Sequence, residues 1–154
     1  MVTQTKSQRF ANPRTPMMDG CTVFLVDKVT IAENPTANDT ADFLLPRGIQ
    51  LALLRFSVPA MDSSTGITGK IGWYPVSGTT ATQNGVAATA ADLSAFRADA
   101  ALGQAAAVID CDIALPMVFE EDVYIRIHWT VTASGTFTPG TIYCTMGGAY
   151  LGVK

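Results

Sequence analysis

Formal charge is the scarcest commodity in this chain: Asp, Glu, Lys and Arg make up 15% of its 154 residues, against roughly 25% in typical soluble domains. Thr, Ala, Gly and Ser fill the gap, and a surface so short of interspersed charge is poorly suited to a free monomer. The net charge of -3 offers no basic stripe to neutralise phosphates, so nucleic acid is not an expected partner. Two stretches without formal charge, Ile71 to Ala91 and Ile127 to Val153, are too rich in Thr, Gly and Ser to span a bilayer, and no membrane association is expected. The opening residues MVTQTKSQRF are polar and hold no apolar core of a secretory signal. Synthesis and assembly in a cytoplasm are the expectation.

Cysteine is equally sparse. Cys21, Cys111 and Cys144 are far apart and never in a C-x-x-C pair, which indicates neither a disulfide framework nor a zinc site; they read as small buried hydrophobes. His128 is the single histidine, and a catalytic histidine works with a nucleophile or carboxylate partner that nothing in the sequence assigns. It reads as a surface or interface residue. Asp110 and Asp112 share a strand face and supply oxygen ligands, but two carboxylates fall short of a dedicated calcium site. Glu120-Glu121-Asp122 reads as a solvated turn. Phosphate-binding loops, G-x-S-x-G elbows and metalloprotease motifs are missing. No enzyme activity, cofactor or metal is expected.

What is present is strand pattern. From Val123 to Thr132, Val, Ile, Ile, Trp and Val alternate with Tyr, Arg, His, Thr and Thr, the period of two that belongs to a strand with one buried face. Cys21–Ile31 is apolar and β-branched and leads into turn formers. Ile49–Val58 is apolar on both alternating faces, which fits a strand covered on both sides. Ile67–Tyr74 alternates again and is expected to pair with it as a hairpin. Residues 75–88 read as a long polar loop.

One helix is expected, over Ala90–Leu102, with Thr89 as N-cap, Asp92 three residues on, Leu93, Phe96 and Ala100 on one face, and Gly103 at its end. Ala106–Ile113 reads as a strand. Turn dipeptides at Ser134-Gly135 and Pro139-Gly140 predict that 123–132 and 141–151 close the chain as a hairpin. Several strands and one small helix, without a βαβ rhythm, predict a mainly β domain, an antiparallel β-sandwich or jelly-roll-like fold, over residues 21–154.

Residues 1–20 stand apart. They carry Lys6, Arg9 and Arg14 with no acid before Asp19, and no apolar periodicity. The stretch reads as an extended N-terminal arm that orders on a partner, with Phe10, Met17 and Met18 as apolar anchors beside the three cations.

The basic arm, the LPRGIQLALLRF and IGWY strands, the short ADLSAF helix and the closing DVYIRIHWTVTASGTFTPGTIYCTMGGAYL hairpin together resemble the layout of bacteriophage capsid decoration, or cement, proteins. The resemblance implies an oligomer, commonly a trimer, that binds the outer surface of the mature capsid and bridges major capsid subunits. It implies a virion location after assembly in the host cytoplasm. A second hypothesis from another class is a carbohydrate- or receptor-binding module of a phage tail or surface protein, with Trp73, Tyr74, Tyr124, Tyr143 and Tyr150 as an aromatic platform.

Overall fold

The structure is a computed structural model that describes residues 4–6, 22–77, 81–83, 86–88, 92–111, 113 and 117–152. Its strands, in chain order, are β1 (Gln4–Lys6), β2 (Thr22–Ile31), β3 (Thr40–Leu45), β4 (Ile49–Val58), β5 (Thr68–Pro75), β6 (Ala81–Gln83), β7 (Val86–Ala88), β8 (Asp92–Ala101), β9 (Ala107–Asp110), β10 (Met117–Val118), β11 (Val123–Val131) and β12 (Gly140–Tyr150). Sheet A runs β1-β3-β11-β5-β8, and sheet B runs β10-β4-β12-β2 with β9 on the same edge of β4 as β10. Apart from β1, which lies parallel to β3, every pairing is antiparallel. The two sheets bury one core between them, and the mainly β sandwich expected from the alternation is the architecture observed.

The period-two pattern places that core. Val123, Ile125, Ile127 and Trp129 of β11 pack inward with Phe43, Leu45, Ile71 and Trp73 of sheet A, against Leu51, Leu54, Phe56, Ile142, Cys144 and Met146 of sheet B. The Phe43 and Phe56 rings meet edge-on across the sheets at 5.5 Å, and Trp73 leans on Phe119 at 5.0 Å. Burying each such side chain contributes on the order of 1.5–3 kcal/mol.

Three expectations are corrected. The segment read as a helix is β8, paired antiparallel to β5, and the described residues contain no helix. Its ladder slips twice: Gly69 and Ile71 face Ala100 and Arg97, while Ile71 and Trp73 face Arg97 and Asp92. Extra residues between paired positions break the alternation, which is why Leu93, Phe96 and Ala100 mimic a helical face. Gly72 permits the slip, because a Cβ there would run into the carbonyl of Asp92 and the backbone of Leu93. Thr89 and Ala90 lie outside the described residues.

The two expected hairpins are also absent as pairings. β4 and β5 lie in different sheets, as do β11 and β12; the connections after Val58 and Val131 cross the sandwich instead of turning back within a sheet. Turn dipeptides mark where a chain reverses, not which neighbour it reverses onto. Finally, residues 75–88, read as loop, contain the small β6–β7 pair. Asn84-Gly85 between these strands is the residue pair that favours a tight hairpin.

Within the stretch read as an arm, β1 pairs with the domain's own β3, with Lys6 in register with Asp42. Arg9, Phe10, Arg14, Met17 and Met18 lie outside the described residues, as do Cys21 and Asp112.

Candidate interaction surfaces

Three places among the described residues concentrate unusual chemistry. The first is the side of sheet A that points away from the core. There β11 contributes Tyr124, Arg126 and His128 between the inward-facing Ile and Trp residues. Arg126 is held by Asp42 of β3 through two parallel bonds, Nε to Oδ1 at 2.7 Å and Nη2 to Oδ2 at 2.8 Å. Its guanidinium also lies 4.1 Å from the centre of the Tyr74 ring and 5.9 Å from that of Tyr124. Asp42 is fully buried, and Tyr124, Arg126 and Thr40 are buried with it. The strand face read as polar surface is therefore a closed ionic cluster. A bidentate, ring-stacked guanidinium is the geometry that compensates such desolvation best.

His128 sits at the margin of this cluster, half-buried, with Nδ1 buried and without a hydrogen-bond partner. Burial, then Lys70 and Arg126, hold its pKa below the ordinary value, and Asp99 opposes them.

The second place is one end of the sandwich, where Asp62 ties two loops together. Its Oδ1 accepts from the amides of Ser64 and Gly135, and its Oδ2 from those of Gly66, Ile67 and Ser134, all at 2.9–3.2 Å. Burial pushes this carboxyl up, but the amide bonds outweigh it and bring the pKa down to about 2. Gly66 is required by the close approach: a Cβ there would strike Ser134. With five amides converging on it, the carboxylate is a structural anion, not a free ligand.

The third is the outer side of sheet B, and it inverts the first. Across the strands, one row is Phe24, Gly147 and Leu53. The next is Val26, Thr145, Arg55 and Asp110, and the third is Lys28, Tyr143, Ser57 and Val108. Phe24 is 65% exposed, Val108 63%, Val26 57%, Tyr143 46% and Leu53 40%. Phe24 and Leu53 lean together over Gly147, making one apolar ridge over three strands. Arg55 grips Asp110 at 2.5 and 3.2 Å in the open, and that partner raises the Arg55 pKa. Asp110 is thus committed to an ion pair, and the described residues contain no cluster of three or more metal-ligating side chains.

The aromatic platform does not assemble. Trp73 is in the core, Tyr74 and Tyr124 flank Arg126, Tyr143 stands on the opposite sheet, and Tyr150 packs near Gly48. Near the other loops, a cleft of about 460 Å³ runs along residues 30–36, Asp39, Thr40 and Trp129. Trp129 is 1% exposed, so its ring offers no stacking surface there. Cys144 is buried, and half-buried Cys111 has its thiol pushed up to about 12 by burial, which keeps it protonated and unreactive.

No protein-family model matches this chain, and no curated protein matches it. A chain from the solved structure described as "Capsid of Ralstonia phage GP4" is similar, with a TM-score of 0.67 at 16% identity, over 99% of this chain and 100% of that chain. This is a fold found in a phage capsid. At that identity the likeness fixes the architecture, end to end, and leaves side-chain roles to the surfaces above. The sequence points to part of the sheet B face: Ile49–Val58 is expected to be covered on both sides, but its outer side, with Leu53 40% exposed, stands open among the described residues; FLV in β2 carries the same two-faced signal and reads only as a strand.

Proposed function

We propose that the protein is a virion structural protein that binds the outer surface of the capsid as an oligomer and stabilises the shell by bridging major capsid subunits. The observation that carries this reading is the fold likeness to a phage capsid chain over the whole length of both chains. The low charge content and the exposed apolar face of sheet B support it, since charged residues are depleted at interface cores. The mechanism is contact area, with no catalytic step and no cofactor: separating two bridged subunits requires breaking the contacts of the bridge as well as their own. Lys6, Arg9, Phe10, Arg14, Met17 and Met18 remain the proposed partner-binding residues of the N-terminal stretch. Several copies of such a segment in one oligomer raise one another's effective concentration on the shell.

The test is imaging of purified particles at subunit resolution with mass spectrometry of their proteins. The protein is expected on the outer capsid surface, and particles that lack it overturn the reading. Add-back of full-length protein and a variant without residues 1–18 to shells lacking it tests the N-terminal residues. The truncation also removes β1, so thermal unfolding is measured alongside. Lower occupancy by a folded truncated form is expected, and equal occupancy and equal heat protection remove the anchoring role.

A further inference from the structure

Among the described residues nothing covers the outer face of sheet B, yet its strands carry apolar residues on that side as a covered face would. We propose that a second copy of the chain covers it, two B sheets packing face to face about a two-fold axis that lies across the strands at the Val26–Thr145 row. This goes beyond the capsid reading, and it is a property of the isolated protein.

Area is the first argument. The five large side chains exposed there present on the order of 500 Å², at the upper end for a patch on a monomer. With the polar side chains between them the face approaches the ~800 Å² that each partner contributes to a standard interface. The second argument is self-complementarity, which an isologous contact demands. The proposed axis leaves the middle row over itself and exchanges the other two. Phe24 then meets the partner copy's Lys28, a ring against an ammonium. Tyr143 lands on the Phe24–Leu53 ridge over Gly147, and Leu53 faces the small Ser57. In the middle row each residue meets its own symmetry mate: Val26 faces Val26, and Arg55 and Asp110 face their like-charged mates while each stays paired with its partner within the chain, so no unpaired ion is buried.

The third argument concerns the neighbouring edge. β2 pairs with β12 over ten residues without a bulge, and a long regular edge invites strand addition. Midway along it, however, the amide of Lys28 is taken by the carboxylate of Asp27, a residue that is itself buried. An inward-pointing acid that occupies an edge amide blocks a continuous ladder. Association is thereby directed to the face, where sheets pack about 10 Å apart with strands nearly aligned.

Sedimentation of the full chain from about 1 to about 100 µM tests the proposal. The wild type is expected at twice the 16.3 kDa chain mass. Val26→Arg sets two cations against each other on the axis and is expected to weaken association roughly 100-fold. Its thermal unfolding confirms that the exposed substitution leaves the fold intact; Tyr143→Ser, away from the axis, is the second variant and is expected to weaken association by about 10-fold. A third measurement uses Val26→Cys with a bis-maleimide spanning about 10 Å, the sheet separation, with the wild type as control; a covalent dimer specific to the variant is expected. A wild type that stays monomeric to about 100 µM overturns the proposal. So does a trimer, or any assembly whose association the Val26 and Tyr143 variants leave unchanged. Loss of shell binding by a dimer that still forms counts against the capsid reading and not against this one.

Discussion

The two sheets turn opposite kinds of surface away from their shared core. Sheet A presents Asp42, Arg126, Thr40 and Tyr124, polar side chains that are nonetheless buried, whereas sheet B presents Phe24, Val26, Leu53, Val108 and Tyr143, apolar side chains that stand exposed. Alternation along a strand states which residues share a face. It does not state what that face meets, because a strand's period is the same whether its second side touches water, an ion pair or another molecule. The ionic side of sheet A is satisfied within the chain by paired charges, and the apolar side of sheet B is left for a partner. Stability is therefore expected to respond to sheet A, and association to sheet B.

The sharpest way to break this contrast is Asp42→Ala. It strands the Arg126 guanidinium in a buried site, which costs about 3–5 kcal/mol and lowers Tm by roughly 10 °C. Converting both partners, Asp42→Leu with Arg126→Met, removes the desolvation cost with the pair and is expected to recover most of the loss. Chemical denaturation of Asp42→Leu, Arg126→Met and the double variant measures the coupling. A single-variant loss under about 1 kcal/mol shows that the cluster is in effect solvated, and the opposition between the faces falls.

Next in size is Asp62→Asn. The amide replaces one accepting oxygen with a donor that faces backbone N–H groups, and Tm is expected to fall by about 5–10 °C. The carboxyl also carries a pH signature. Its folded pKa of about 2 lies below the ordinary 3.8, so its stabilisation is complete above the ordinary value. It is lost as pH falls from about 4 toward 2. Unfolding midpoints of wild type and variant from neutral pH to pH 2 are expected to converge in acid. Parallel curves would mean that the loops are held by something other than this anion.

These groups also mark how far the sequence is legible. The core positions of β11, β5 and β12 follow from strict alternation, and the sandwich follows from the number of such strands. β8 is illegible because its two ladder slips convert a period of two into something near 3.6. Sheet membership of β4 and β5 is illegible because a crossing connection and a hairpin turn use the same residues. Asp62 sits in Asp-Ser-Ser-Thr-Gly, an ordinary loop in sequence; its role comes from Ser134 and Gly135, 72 and 73 residues away, which bond the same carboxylate. Asp42 lies two residues before Leu44 in a strand that is buried throughout, and only the register with Arg126 explains a charge there. The sheet B face was readable as surplus hydrophobicity, though not as a surface.

Phe24→Thr sharpens the contrast from the other side. Phe24 is 65% exposed on a strand whose inward residues are untouched by the change, and Thr retains strand preference. Folding stability of the monomer, measured by denaturation at low concentration, is expected to stay within about 0.5 kcal/mol of wild type. A loss beyond about 1.5 kcal/mol would mean that the ridge over Gly147 is internal packing and not a reserved surface.

The smallest effect belongs to His128, at the boundary between the buried cluster and solvent. The opposing residues of β3 and β5 are Thr40 and Lys70, and Arg126 lies two positions along the same strand. Protonating the imidazole adds a cation beside two others and a donor at Nδ1, which is buried and already without a partner. Burial first, then Lys70 and Arg126, hold the folded pKa below the ordinary 6.5, with Asp99 pulling the other way. The unfolded chain therefore takes up its proton first as pH falls. Stability from this group is complete above pH 6.5 and declines as pH drops below it, levelling once the folded state is protonated too. His128→Gln is expected to match the wild type at pH 7.5 and to lose the decline between pH 6.5 and 5. The wild-type midpoint should drop by only about 1–2 °C over that range, given the partial exposure. Thermal unfolding in matched-ionic-strength buffers reads it. If the decline persists in the variant, another group titrates there; if the wild type gains stability on acidification, Asp99 outweighs burial and the two cations, and this margin of sheet A is ionic in the opposite sense.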